Sequence, residues 1–345
     1  MSNAFEKCLL GLDTITNNNR RDCRELCTLE TCPLGYSYWG YLPSLAANSL
    51  FTALFALTVV AFVVQSVVYR SFHGFTIAMI CGSLLEMIGY IGRVMAHSKP
   101  FAEDPYLLQI ICLTIAPAFY AAGIYLLLKR VVLSISSAAS PIPARYYPRI
   151  FIPCDVASLL LQAIGGGIAA SASHSDRDPT AGNNIMIAGL AFQVFTMLMF
   201  IIFSLVFAWR VYSLMRSQGA DAALEQGAGL ATLRSSFKFK AFIVTLSFAT
   251  LCIFTRCVYR VAELSEGWDG RLISTQRYFI GLEGAVIAAG IVALNLFHPG
   301  MCFQQGYAGM PWRSTTKVEK QEGAKEAVVM SIDGSEKGSN GVVVP

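Results

Sequence analysis

Charge is scarce in this chain. Asp, Glu, Lys and Arg together supply 14% of its 345 residues, where a soluble domain of that size carries about a quarter. The apolar residues, 54% of the total, come in long blocks, and the mean hydropathy is positive. That combination excludes an ordinary water-soluble globule and points to a polytopic membrane protein. Basic residues are dispersed between the blocks, so the net charge of +4 builds no patch for a nucleic acid, and no nucleic-acid partner is expected.

The residues that carry common chemistries are missing too. There is no G-x-x-x-x-G-K-[ST] loop to cradle a nucleotide phosphate, and no G-x-S-x-G nucleophile turn. Only four histidines occur, His73, His97, His174 and His298. The first and last fall toward one membrane face and the middle two toward the other, which splits any three-His zinc site. No lysine lies between Arg277 and His298, so the last apolar block cannot form a retinal-type Schiff base. Enzyme activity is therefore not expected, and neither is a cofactor or metal. The polar first 43 residues show no basic n-region leading into an apolar core, so no cleavable signal peptide is expected either.

What is present is a set of seven blocks of about twenty apolar residues, the length that crosses a bilayer as a helix. They cover residues 44–68, 74–96, 106–128, 150–172, 184–212, 239–262 and 278–298. The expected fold is an all-α membrane protein of seven transmembrane helices. Its organisation reads as a polar, cysteine-containing tail (1–43), a membrane domain (44–298) and a disordered cytoplasmic tail (299–345), the last too poor in apolar residues to offset ordering entropy. Pro117 removes one backbone hydrogen bond from the third helix and predicts a kink.

The flanking cations orient the chain. Loops one, three and five hold Arg70; Lys129, Arg130, Arg145, Arg149; and Arg210, Arg216, Arg234, Lys238, Lys240. Loops two, four and six hold only Lys99, Arg177, Arg271 and Arg277. The positive-inside rule puts the odd loops and the C-terminus in the cytoplasm and the N-terminus outside. Cys8, Cys23, Cys27 and Cys32 then sit in an oxidising compartment, where two disulfides with three possible connectivities are expected.

Polar residues inside the spans are the functional candidates, because a charge in hydrocarbon must be paired or face a cavity. Arg256, Arg260 and Glu263 lie at i, i+4 and i+7 on one face of the sixth helix, and Glu86 and Arg93 stand two turns apart on the second. With Glu283 on the seventh, six charges fall in the outer half of the membrane, at ~1.5 Å of depth per residue. Three cations balance three anions. Either they lock the helices as ion pairs or they line an outward-opening vestibule that receives a ligand's head group. Asp155 on the fourth helix lies near the inner side. Gly281, Ala285 and Ala289, spaced by four on the seventh helix, predict close helix packing.

Leu85-Glu86-Met87-Ile88-Gly89-Tyr90-Ile91-Gly92-Arg93 resembles the E-x-x-G-Y-x-x-R segment of the fungal RTA-like lipid-translocating exporters. Ala116-Pro117-Ala118, Ala122-Gly123-Ile124-Tyr125, and Asp155-Val156 followed by Gln162 to Gly167 are similar to other segments of that family. So are Arg256, Tyr259-Arg260, Glu263, Gly267-Trp268-Asp269-Gly270, Glu283 and Phe297-His298-Pro299-Gly300. One departure is Glu283, where relatives commonly carry Asp, a change that keeps the charge on a longer arm. The resemblance implies seven spans with the N-terminus out, and roles in release of sphingoid long-chain bases, resistance to toxic amphiphiles or movement of porphyrins.

The expectation is therefore a multi-pass exporter, of the plasma membrane by preference, whose partners are membrane lipids and amphiphilic small molecules. It would move sphingoid long-chain bases or related cationic amphiphiles toward the outer leaflet without hydrolysing nucleotide. In that reading Glu86, Glu263 and Glu283 receive the amine, oriented by Arg93, Arg256 and Arg260. Tyr90, Tyr259 and Gln162 bond hydroxyls, and Asp155 makes an inner-side contact. The rival is a seven-helix receptor-like regulator of the lipid or stress response, disfavoured by the lack of a D-R-Y-like end on the third span, which closes Tyr125-Leu126-Leu127-Leu128-Lys129-Arg130.

Overall fold

The computed structural model describes residues 6, 8, 23, 24, 26–175, 177–219, 223–225, 229–267 and 270–303. The C-terminal tail from residue 304 and the Trp268-Asp269 pair of the 267–270 segment lie outside the described residues. Seven helices are long and apolar enough to cross a membrane. They are α1 (Leu45–Tyr69), α2 (His73–Ser98), α3 (Glu103–Ile135), α4 (Tyr146–His174), α5 (Thr180–Gln218), α6 (Phe237–Ser265) and α7 (Gln276–Cys302). Among the described residues there is no strand.

α2 to α7 each overrun their apolar block, because a helix need not stop where the hydrocarbon does: its backbone groups are satisfied internally. α1 starts at Ser44, whose Oγ accepts from Ala47 N at 3.4 Å and satisfies one of the orphan donors of the first turn. The turn into α2 takes three residues, with Arg70 and Phe72 held in the left-handed region at φ 45° and 58°. That turn is clamped from the C-terminal end of α7. His298 stacks on Tyr69 with ring centroids 5.5 Å apart, and its Nε2 meets Thr76 Oγ1 at 3.3 Å. A Cβ on Gly300 would collide with Tyr69, so the closing His298-Pro299-Gly300 fits only a glycine there.

Packing follows the chain: α1 on α2, α2 on α3, α4 on α5 and α6 on α7, with α7 returning to α1. α3 also meets α4, and α6 lies against α3, α5 and α7. Small residues set the closest approaches. A Cβ on Gly82 would enter the Tyr120 ring, and Cβ atoms on Gly165 and Gly182 would each meet the other helix's backbone. Helices in lipid associate by such van der Waals contact, without a hydrophobic drive.

One expectation fails in α7. Ala285 and Ala289 are exposed and a Cβ on Gly281 would meet nothing. The packed small residues are Gly284, which faces Phe51 and Tyr90, and Gly290, which faces Ala249 and Cys252. Gly281 lies within a π-helical stretch, Phe279–Ala285, whose wide turns shift the phase of the residues before it, while Ala285 and Ala289 lie one α-turn apart on the exposed face of α7.

The N-terminal segment is stapled by Cys8–Cys23 and Cys27–Cys32. Cys23, Cys27 and Cys32 are buried with Phe101 in a small cluster of their own, beside Tyr36.

Candidate functional site

The site begins at a missing hydrogen bond. Pro117 has no N–H to give the carbonyl four residues earlier in α3, which belongs to Leu113. Leu113 O is taken up instead by Arg256 Nη2 from α6, at 2.6 Å. The same guanidinium holds Glu283 Oε1 at 2.7 Å and is ion-paired with Glu86. All three charged side chains are wholly buried. Arg256 therefore ties α2, α3, α6 and α7 together at one point.

The other charges do not join this triad. Arg93, two turns further along α2, has no carboxylate partner among the described residues. Its donors go to neutral oxygens: Nε to Asn48 Oδ1 at 3.0 Å, Nη1 to Gln109 Oε1 at 3.1 Å and Nη2 to Tyr41 OH at 3.0 Å. Its planar face lies 3.8 Å over the Phe279 ring, a cation–π contact strengthened by exclusion of water. Arg260 pairs with Glu263 on its own helix, and Tyr259 OH donates to Glu263 Oε1 at 3.3 Å.

Three of these charged groups border a cavity. Arg93, Arg260, Glu263 and Gln162 line it, under a roof of Tyr38, Trp39 and Tyr41 from the N-terminal segment. Trp39 Nε1 donates to Gln109 Oε1 at 2.9 Å, and Tyr38 stacks on Tyr106 with centroids 5.1 Å apart. The cavity offers about 50 Å³ to water-sized occupants, room for about four heavy atoms of a head group and none of a long tail. Its ionised lining carries two cations and one anion, so it presents both a carboxylate and guanidinium donors.

The remaining candidates stand apart. Tyr90 is buried between Phe51 and Phe55 with no hydrogen-bond partner for its hydroxyl. Asp155 is buried between α3 and α5, where it accepts from Tyr125 OH and Thr196 Oγ1, both at 2.9 Å. Gln162 Nε2 donates to Gln193 Oε1 at 3.2 Å. The ten residues thus divide into a closed triad (Glu86, Arg256, Glu283) with Tyr90 beside it, a cavity wall (Arg93, Gln162, Arg260, Glu263) with Tyr259 bonded to Glu263, and a separate carboxyl, Asp155. Among the described residues, no group of three or more His, Cys, Asp or Glu is placed to hold a metal.

Sequence reasoning overlooked Asn48, Gln109 and the aromatic roof. Asn48 and Gln109 are amides inside apolar helices, polar groups that also need partners there. The run Tyr36-Ser37-Tyr38-Trp39-Gly40-Tyr41 ahead of α1 is dense in the aromatics that favour a membrane interface.

Removing the roof is the direct way to see it. Trp39→Ala is expected to raise, several-fold, the labelling of a Thr114→Cys probe by a membrane-impermeant thiol reagent. Equal labelling with and without Trp39 would mean that the indole covers nothing.

The protein family described as "RTA1 like protein" matches residues 79–306. The Sphingoid long-chain base transporter RSB1 of Saccharomyces cerevisiae (strain ATCC 204508 / S288c) is 35% identical over 296 residues, covering 79% of this chain and 76% of that protein. Protein RTA1 of the same strain is 27% identical over 274 residues, covering 72% and 81%. Protein RTM1 of Saccharomyces cerevisiae is 32% identical over 218 residues, covering 63% and 64%. No solved structure matches.

Proposed function

The chain belongs to the RTA1-like protein family, and on that footing we propose that it translocates sphingoid long-chain bases, or cationic amphiphiles of that build, across its membrane. The observation that carries this reading is the roofed cavity at one end of the seven-helix bundle, with Glu263, Arg260 and Arg93 in its wall. A sphingoid base has one ammonium, two hydroxyls and a long tail. The ammonium competes with Arg260 for the Glu263 carboxylate, a charge-assisted bond about twice as strong as a neutral one. Arg93 and Gln162 donate to the hydroxyl oxygens. The tail stays in lipid, since the cavity has no volume for it.

Glu86 and Glu283 take a different part from the one their charge suggests. Each is clamped by Arg256 and wholly buried, so the triad holds the bundle's shape and the amine goes to Glu263. Orientation follows the flanking cations, with the roofed end outside and export toward the outer leaflet. The two disulfides of the N-terminal segment support the same sidedness.

Purified full-length chain in protein-free liposomes, loaded with a fluorescent sphingoid base, tests the reading. The wild type is expected to speed leaflet exchange without any other protein. Glu263→Gln is expected to slow it about tenfold, the equivalent of about 1.4 kcal/mol for a charged contact made neutral. Unchanged exchange in Glu263→Gln, at equal amounts of folded protein, would remove Glu263 from the head-group site. A wild type that is inert alone but acts on a cytoplasmic partner would favour the receptor-like alternative.

A further inference from the structure

The buried triad does not balance. Glu86 and Glu283 bring two carboxylates to a single guanidinium, and all three are excluded from solvent. Arg256 binds one oxygen of each carboxylate and the Leu113 carbonyl. Glu86 Oε2 and Glu283 Oε2 are buried with no hydrogen-bond partner among the described residues. The hydroxyl of Tyr90, one turn from Glu86 on the same face of α2, is equally unpartnered. Leaving buried acceptors unsatisfied is costly, and an uncompensated charge in a helix bundle costs more.

Among the described residues no neighbouring group binds the free carboxylate oxygens, and the one further cation within electrostatic reach of Glu86 and Glu283, Arg260, is itself paired. On α2, Arg93 is seven residues away, about 10 Å along the axis, with its donors engaged by Asn48, Gln109 and Tyr41. On α6, Arg260 is held by Glu263, and Tyr259 donates to Glu263; Cys257, also on α6, lies within electrostatic reach of Glu283. On α3, Tyr120 donates to Ser83 Oγ at 3.3 Å, and Cys112 is a free thiol. α1 presents Phe51 and Phe55 to this region.

We propose that the Glu86–Arg256–Glu283 triad is a proton-binding site. One exchangeable proton sits on the carboxylate pair, and its exchange with the medium makes translocation responsive to a pH gradient. The coupling half of this proposal rests on the translocator reading; the bound proton does not. The step is a plain acid dissociation, in which a carboxylic acid releases its proton to water and the pair regains its second negative charge. A path from cargo to triad exists along one helix. Arg256 and Arg260 are one turn apart on α6, so an ammonium that takes Glu263 from Arg260 disturbs the turn that carries Arg256.

Infrared difference spectra of the full chain in liposomes test the site. The carbonyl stretch of a protonated carboxyl is distinct from carboxylate absorption and shifts in deuterium oxide. At neutral pH the wild type is expected to show such a band that is lost in Glu86→Gln and in Glu283→Gln, because either change leaves one anion against one cation. Asp155→Asn is expected to keep it, which separates the triad from the other buried carboxyl. Either glutamine variant alone suffices, so the misfolding of one does not block the test. In the exchange assay an imposed pH gradient is expected to change the wild-type rate several-fold, while both glutamine variants ignore it.

A wild-type spectrum with no band attributable to the triad overturns the proposal, as does a band that survives both variants. Absence of the band together with thermal stabilisation by sodium ions would assign the site to a metal cation. A wild type with the band whose exchange ignores the gradient overturns the coupling. A wild type with the band that moves no sphingoid base defeats the translocator reading and leaves the proton site supported.

Discussion

Arg256→Met is expected to cost about 3–5 kcal/mol of stability, the usual penalty for stripping one partner from a buried ion network. In a chain of this length that is a fall on the order of 10 °C in the unfolding midpoint, measurable by thermal denaturation in detergent. The size of the effect comes from what remains behind. Glu86 and Glu283 lose the cation they are bound to, and the Leu113 carbonyl, already without an intrahelical donor because of Pro117, loses its replacement. Four helices are loosened by one substitution. A compensated variant makes the argument sharper. Combining Arg256→Met with Glu86→Leu and Glu283→Leu removes every buried charge of the triad, and well-packed apolar replacements of such networks are often neutral or stabilising. Most of the lost stability should return. A single variant that melts within a degree or two of the wild type would show that Arg256 is not the tie.

Gly182→Val is expected to produce the second large loss, for a reason unconnected with charge. The new Cβ would be forced against the backbone of Ala169 and the carbonyl of Gly165 on α4. Backbone has nowhere to rotate, so α4 and α5 must part along their most extensive contact. Overpacking of this kind typically costs 1–3 kcal/mol and more where side chains cannot absorb it. Gly281→Ala on α7 provides the contrast, since its Cβ would meet nothing within 4 Å. It should melt within about 1 kcal/mol of the wild type, the range of a glycine exchange in open space. Equal losses at the two positions would mean that close approach of α4 and α5 does not matter.

The two cases also mark what could be read ahead of the structure. Seven spans were plain, because twenty apolar residues in a row have few other destinies. That Glu86, Arg256 and Glu283 would be buried followed from the cost of charge in lipid. Their division into a locked triad and a cavity wall did not, because i+4 and i+7 spacing fixes a face but not the direction a long side chain takes. Arg93 shows the gap best. Its partners come from positions 41, 48 and 109, contacts set by how α1, α2 and α3 close, and no count of opposite charges finds three neutral acceptors. Pro117 was legible in a way that went unused: a kink was predicted, while the freed carbonyl at Leu113 was the informative consequence. The π-helical stretch had no periodic signal at all, since one inserted residue erases the pattern that would announce it.

That stretch has a mechanical consequence. Its wide turn is closed by Val286 N bonding to Gly281 O, five residues back. Tightening it to an α-turn would rotate the preceding segment by about 100° about the helix axis. Phe279 rides on that segment and covers Arg93; Glu283 lies within it and holds Arg256. The far end of α7 would not have to turn, because His298 is fixed against Tyr69 and Thr76. A single torsional motion would therefore uncover Arg93 and draw Glu283 away from Arg256 at once, like one key acting on two bolts.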